Sequence, residues 1–233
     1  MTEKSFSSSS EAVILEDNLK RISHNIENAM AKAGRTDNVR LMAVTKTVPP
    51  EKINHAISLG ADLLGENRVQ EFMGKYEFYD KNCEIHFIGG LQNNKVKYII
   101  DKVSMIHSVD SVKLADEINK RAAALNLTMD ILVEVNIGEE ESKGGVPLEA
   151  AKELSAYCSE LANIRLRGYM TIPPPSDDSS RYFAKMQELY LSSSEKYNTI
   201  DTLSMGMSGD YEQAVLFGSN IVRIGSALFG NRK

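Results

Sequence analysis

Three stretches of the 233-residue chain carry side chains that could do chemistry together. The first is Leu41-Met42-Ala43-Val44-Thr45-Lys46-Thr47, an apolar run that reaches an amine. If the run is a strand, alternation puts Met42, Val44 and Lys46 on one face. Such a lysine has two readings: an amine snorkelling to a rim, or a Schiff-base amine that attacks an aldehyde. The second stretch is Ser204-Met205-Gly206-Met207-Ser208-Gly209-Asp210, and the third is Val222-Arg223-Ile224-Gly225-Ser226. Glycines admit close backbone approach, hydroxyls donate hydrogen bonds, and free N–H groups attract a dianion. Each Gly/Ser stretch alone is an ordinary turn. Together, and with Lys46, they suit a phosphorylated aldehyde: an amine for the carbonyl and a cradle for the phosphate. Arg223 projects to the same strand face as Gly225. Inside an apolar strand it needs a defined partner. Against a pyridine nitrogen, a guanidinium would keep that nitrogen unprotonated and weaken the ring as an electron sink.

Periodicity supplies the elements that must position these stretches. Apolar residues Val13, Ile14, Leu19, Ile22, Ile26 and Met30 recur at helical steps and predict a helix over 11–33. Eight strand-like runs follow, at 39–45, 62–65, 85–89, 105–109, 131–137, 165–171, 202–207 and 221–225. Helical patterns fill the gaps at 50–59, 68–79, 93–100, 112–125, 147–161, 178–196 and 211–217. Several runs are apolar at nearly every position, as parallel strands buried on both faces require. The expectation is an α/β protein, a single (β/α)8 TIM barrel with an extra N-terminal helix, whose active face lies at the strands' C-terminal ends. An open doubly wound sheet is the alternative. Residues 1–10, with the serine run from Ser7, read as a flexible tail and 11–233 as one domain.

Composition narrows the partners. Against 32 acidic residues stand 27 Lys and Arg, a net charge of −5, which argues against the clustered basic face a nucleic-acid binder needs. No apolar run approaches the roughly 18 residues of a membrane helix, and MTEKSFSSSS lacks the apolar centre of a secretory signal. Cys83 and Cys158 lie apart and outside any C-x-x-C pattern, which argues against a disulfide or zinc framework. A cytoplasmic monomer with no nucleic-acid or membrane partner is expected.

Motifs extend the reading along the chain: AVTKT around Lys46, GENRVQE at 65–71, HFIGGLQNNK at 86–95 and HSVDS at 107–111. EVNIGEEESKGG at 134–145, RGYMTIPPP at 167–175, LSMGMSGDYEQAV at 203–215 and VRIGSALFG at 222–230 complete the set. In these the chain closely resembles the pyridoxal-phosphate homeostasis family (the YggS/PROSC type), whose barrel is similar to the N-terminal domain of alanine racemase. The resemblance implies pyridoxal 5'-phosphate (PLP) held as a Schiff base on Lys46, with its phosphate on Ser208, Gly225 and Ser226. It also implies Arg223 near the pyridine nitrogen, with Asn67 and Met170 beside the cofactor. Gly90 departs from the pattern, since a proline or another bulkier residue is expected there. The implied role is intracellular PLP homeostasis, with apo forms of PLP-dependent enzymes as candidate partners.

Two other functions compete. One is a PLP-dependent amino-acid racemase and the other a Schiff-base aldolase that uses Lys46 with no cofactor. Racemisation needs acid/base groups on both faces of the α-carbon. In the racemase that the barrel resembles, the second is a tyrosine from an added β-domain, for which no sequence is expected beyond Lys233. Tyr169 and Tyr211, near the expected barrel mouth, are the candidate substitutes. His86 and His107 read as hydrogen-bonded core residues, because no H-E-x-x-H or similar spacing accompanies them. Lys95 reads as a solvated charge, and Lys143 as a loop lysine or a second PLP-holding amine at the rim.

Overall fold

Strand pairing closes on itself. In the computed structural model, which describes residues 10–140, 143–176 and 178–230, eight parallel strands form a closed barrel in chain order. They are β1 (Arg40–Val44), β2 (Leu63–Glu66), β3 (Glu84–Phe87), β4 (Met105–Val109), β5 (Met129–Val135), β6 (Ile164–Thr171), β7 (Thr202–Met207) and β8 (Ile221–Ile224). Closure comes from the register Arg40↔Ile221, Leu41↔Val222, Met42↔Arg223 and Ala43↔Ile224 between the first and last strands. This is the expected TIM barrel and excludes the open sheet.

The helices are α1 (Ser10–Lys32), α2 (Pro50–Ser58), α3 (Val69–Lys75), α4 (Val96–Ile99), α5 (Val112–Ala124), α6 (Leu148–Ser159), α7 (Ser180–Ser194), α8 (Tyr211–Leu216) and α9 (Ser226–Phe229). Local chemistry starts several of them. Pro50 opens α2 where its missing N–H costs nothing, and the Ser111 hydroxyl caps α5 by accepting from Leu114 N at 3.3 Å. The helix after β8 is a single turn, so α1 covers the remaining flank. Leu15, Ile22, Ile26 and Ala29 form its buried stripe. Asn25 Nδ2 donates to Tyr211 Oη on α8 at 2.9 Å, and Asn18 Nδ2 to the carbonyl of Leu228 on α9 at 3.0 Å.

Several boundaries differ from the periodicity. β1 stops at Val44, because Thr45 already belongs to a turn. The helix predicted over 68–79 tightens after Lys75 into a 3-10 turn, Tyr76–Phe78, which lets Tyr79 turn inward and bury. A similar 3-10 turn, Asn93–Lys95, precedes α4. The tail predicted over 1–10 lies outside the described residues except Ser10, which begins α1.

Two apolar layers occupy the barrel interior. Met42, Leu63, Ile88 and Ile221 form one with Val44, and Met105, Leu132 and Met170 form the other with Ile172. The larger core lies between the strands and the helices. At the N-terminal end of the barrel, Asp130 takes a two-bond contact from Arg165 at 2.6 and 2.8 Å and a third bond from Arg167, which also pairs with Asp201. Arg40 pairs with Glu84 at 2.8 Å. Charges there pair with one another around a cavity of about 480 Å³.

Between this network and the mouth, His86 Nδ1 lies 2.9 Å from His107 Nε2, both rings buried. His86 Nε2 faces Glu84 at 3.5 Å, while His107 Nδ1 has no partner. One tautomer set fits: His86 donates to Glu84, His107 donates to His86, and the orphan Nδ1 is a bare lone pair. The core-histidine expectation holds, and among the described residues no group of three potential ligands could hold a metal. Burial lowers both histidine pKa values, His107 well below the ordinary 6.5, with the charges of His86 and Arg223 adding to the effect there. Because the unfolded chain binds these protons first, stability must fall as pH drops below about 6.5, by up to about 1.4 kcal/mol per pH unit for each ring. Denaturant midpoints measured between pH 8 and 5 should decline, and His107→Gln should flatten that slope. An unchanged slope in the variant contradicts the assignment.

Candidate cofactor site

Lys46 continues the inward face of β1. Met42 and Val44 pack inside the barrel, and Lys46 follows two residues after the strand, half-buried at the C-terminal rim. Among the described residues its amine has no hydrogen-bond or ion-pair partner. It opens into a cleft of about 500 Å³ that Val44, Pro49, Gly225 and Leu228 also line. The far wall is α1, with Leu15 and Glu11, tied across by Lys52, whose amine donates to the carbonyl of Phe229 at 2.9 Å and meets Glu11 at 3.3 Å. Lys46 and Gly225, predicted from opposite ends of the chain, therefore share one cleft.

Arg223 points into the barrel and is 3% exposed. Its guanidinium donates to Ser204 Oγ at 2.9 Å and to the Thr171 carbonyl at 2.8 Å. Both acceptors are neutral, and among the described residues no carboxylate bonds this buried cation. Burial pulls its pKa down to about 10, opposed by the more distant charges of Glu134 and Asp210, so it stays charged at neutral pH. Ser208, half-buried in the turn after β7, accepts from Ala227 N at 3.2 Å. That bond joins the two Gly/Ser stretches at the rim. Asp210 folds the same loop by accepting from Met207 N at 2.7 Å. Ser226 begins α9 beside Gly225 and is exposed.

Asn67 and Met170 stand at the ends of β2 and β6, on the same rim, with no hydrogen bond to Lys46. Met170 is buried in the second interior layer. The main chain at Asn67 passes so close to Gly89 that a Cβ there would sit 2.0 Å from the Asn67 carbonyl oxygen, so only glycine fits. At Gly90 a Cβ would meet open space, and the bulkier residue expected there is not excluded sterically.

Neither tyrosine presents a free hydroxyl at the mouth, although Tyr211 lines a small cavity beside Ser208. Tyr169 faces outward from β6, its hydroxyl 3.0 Å from Ser155 on α6 and 2.8 Å from Ser193 on α7. Tyr211 spends its hydroxyl on Asn25 of α1. Strand parity explains the first miss: Met170, not its neighbour, takes the inward position. The amine of Lys143 donates to the Pro173 carbonyl at 3.2 Å and pairs with Glu140, tying the β5 and β6 loops together. Lys95, half-buried, lies 5.8 Å from the Tyr98 ring centroid.

Two features escaped sequence reading. Glu134, on the inward face of β5, is 9% exposed, and burial raises its carboxyl to about 7, helped by Asp110 and opposed by Arg223. Glu66 at the end of β2 is fully buried and accepts from Thr45 Oγ1 at 2.6 Å and from the Tyr79 hydroxyl, with Lys75 Nζ 3.7 Å away. Burial raises its pKa, against the Lys75 charge and both hydroxyls. The available signal was a carboxylate inside an otherwise apolar strand run, ILVEV in one case and LLGE in the other.

Comparison with known proteins bears on this geometry. The alanine racemase N-terminal domain family matches residues 18–233. A pyridoxal phosphate homeostasis protein from Aquifex aeolicus (strain VF5) is 49% identical, over 93% of this chain and 98% of its own. Another, from Escherichia coli (strain K12), is 37% identical over 92% and 95%. PipY of Synechococcus elongatus PCC7942, solved with PLP bound, superposes with a TM-score of 0.79 at 27% identity, covering 93% of this chain and all of its own. The match over residues 18–233 and along nearly the whole length of these relatives means that this chain belongs to the alanine racemase N-terminal domain family, alongside the pyridoxal phosphate homeostasis proteins.

Proposed function

We propose that this chain binds PLP and serves its homeostasis, with Lys46 as the residue that holds the aldehyde covalently. The observation that carries the reading is two cations without carboxylate contacts among the described residues: the unpartnered amine of Lys46 at the rim and the guanidinium of Arg223 buried inside the barrel. Such a site is built for an electron-rich, anionic molecule. The cofactor supplies an electrophilic aldehyde carbon and a ring able to delocalise charge. Ser208, Gly225 and Ser226 would hold the phosphate, where the two loops are already joined through Ser208 and Ala227. Arg223 would face the pyridine nitrogen; it donates a hydrogen bond but releases no proton at neutral pH, so the ring nitrogen stays unprotonated. Asn67 and Met170 would flank the ring. A single chain supplies every residue of this set, in keeping with a monomer. The free thiols of Cys83 and Cys158 suit a reducing cytoplasm. Apo forms of PLP-dependent enzymes are the candidate recipients.

The same geometry disfavours racemisation. Arg223 weakens the ring as an electron sink, and the hydroxyls of Tyr169 and Tyr211 are committed outside the barrel. Lys46 is left to serve one face of an α-carbon.

Borohydride reduction followed by peptide mass spectrometry should place the pyridoxyl group on Lys46, and Lys46→Ala should remove it while leaving weaker, phosphate-dependent binding. A label found mainly on Lys143 or Lys95 refutes the assignment. Charge-assisted hydrogen bonds to phosphate are worth roughly 1.5–3 kcal/mol, so Ser208→Ala should weaken PLP binding by about ten- to a hundred-fold. Pyridoxal, lacking the phosphate, should bind much more weakly than PLP in calorimetry; equal affinities would reduce the Gly/Ser stretches to ordinary turns. In deuterated water L-alanine should exchange its α-hydrogen slowly and keep its configuration. Rapid D-alanine formation that Lys46→Ala abolishes would make the protein a racemase.

A further inference from the structure

The turn that carries Lys46 is held from outside the cleft by charged side chains that nothing in the cofactor site requires. Val48 N donates to the Thr45 carbonyl at 3.0 Å, closing a four-residue turn with Lys46 second and Thr47 third. Thr47 has φ 63, while Lys46 is not among the positive-φ residues, which makes the turn type II. Its third position favours glycine or asparagine. A β-branched residue there persists only where its surroundings over-determine it.

They do. Glu71 Oε1 accepts from Thr47 N at 2.5 Å. The Lys75 amine donates to the Thr45 carbonyl at 2.9 Å, the Val48 carbonyl at 3.5 Å and Glu71 Oε1 at 2.8 Å. Thr45 Oγ1 donates to Glu66, which Lys75 also faces. Both residues flanking Lys46 are thus tied to the β2–α3 unit, while the Lys46 side chain stays unpartnered. Glu66, Glu71 and Lys75 are absent from the lining of the cleft. Burying such charges is a poor route to stability, since packed apolar residues do as well or better. What these charges accomplish is to fix donors and acceptors on one turn.

We infer that Lys75, together with Glu71 and Glu66, is a positioning device that presents the Lys46 amine to the aldehyde. The inference rests on the reading of Lys46 given above. The step it serves joins Nζ to the aldehyde carbon as a C=N bond, and the two amine hydrogens leave with the carbonyl oxygen as one water. Orientation of the amine favours that step but is irrelevant to a ligand that cannot form the bond.

The test compares PLP with pyridoxine 5'-phosphate, which keeps ring and phosphate but carries an alcohol in place of the aldehyde. In the full-length protein, Lys75→Met should weaken PLP binding by about tenfold or more and leave pyridoxine 5'-phosphate within about twofold. Borohydride labelling of Lys46 should fall in parallel. Lys75→Arg, which keeps a cation able to bridge the two carbonyls, should recover part of the loss. If Lys75→Met fails to fold, Glu71→Gln takes its place: its amide oxygen still accepts from Thr47 N but no longer pairs with Lys75, and the same selective loss is expected. Equal weakening of both ligands, or unchanged PLP binding, overturns the positioning role. A wild-type protein that labels elsewhere than Lys46 overturns the underlying assignment instead.

Discussion

Everything at the cofactor rim depends on the pairing of β1 with β8. That ladder sets Met42 beside Arg223 and Ala43 beside Ile224, and so brings an amine from the first strand to a cleft shared with Gly225 after the last. Without closure these groups would lie at opposite edges of a sheet. The ladder also buries Arg223 inside the ring, where its donors find only Ser204 and the Thr171 carbonyl. A cation in that position is costly unless something electron-rich completes it.

The two ends of the barrel use charge in opposite ways. At the N-terminal end, arginines and carboxylates pair off in a network anchored on Asp130 and Glu84. At the C-terminal end Lys46 and Arg223 lack carboxylate contacts among the described residues, and the acidic groups near Arg223 act at a distance, Glu134 with its carboxyl pushed up to about 7. The neutral histidine pair lies between, separating the network from Arg223 without adding a charge to the interior. This asymmetry matches the division usual in such barrels, with stability at one face and chemistry at the other.

Rigidity accompanies the chemistry. Lys46 sits on a turn whose strained third residue is held by Glu71 and whose ends are held by Lys75, and Gly89 lets the β2 and β3 loops pass in contact. A protein that binds a reactive aldehyde benefits from an amine that needs no rearrangement before it acts.

Much of this was legible in the residues themselves. The short apolar or alternating runs located all eight strands to within two residues, and several are apolar along their length because their strands are buried on both faces. Lys46, Ser208, Arg223, Gly225 and Ser226 stand out by type as candidates, since an amine or guanidinium in or after an apolar strand and glycines beside hydroxyls are local features. Contacts between distant segments were not. Whether the sheet closes is a matter of register between β1 and β8, which no window of sequence contains. The inward or outward turn of Tyr169 depends on the irregular register of β6, where Gly168 takes φ 144 against the Thr202 carbonyl. That Glu66, Glu71 and Lys75 converge on Thr45, Thr47 and Val48 follows from packing α3 against the end of β1. Sequence alone determined which groups are available and on which elements they ride; only the tertiary structure decided which of them meet, because meeting is set by barrel closure and strand register.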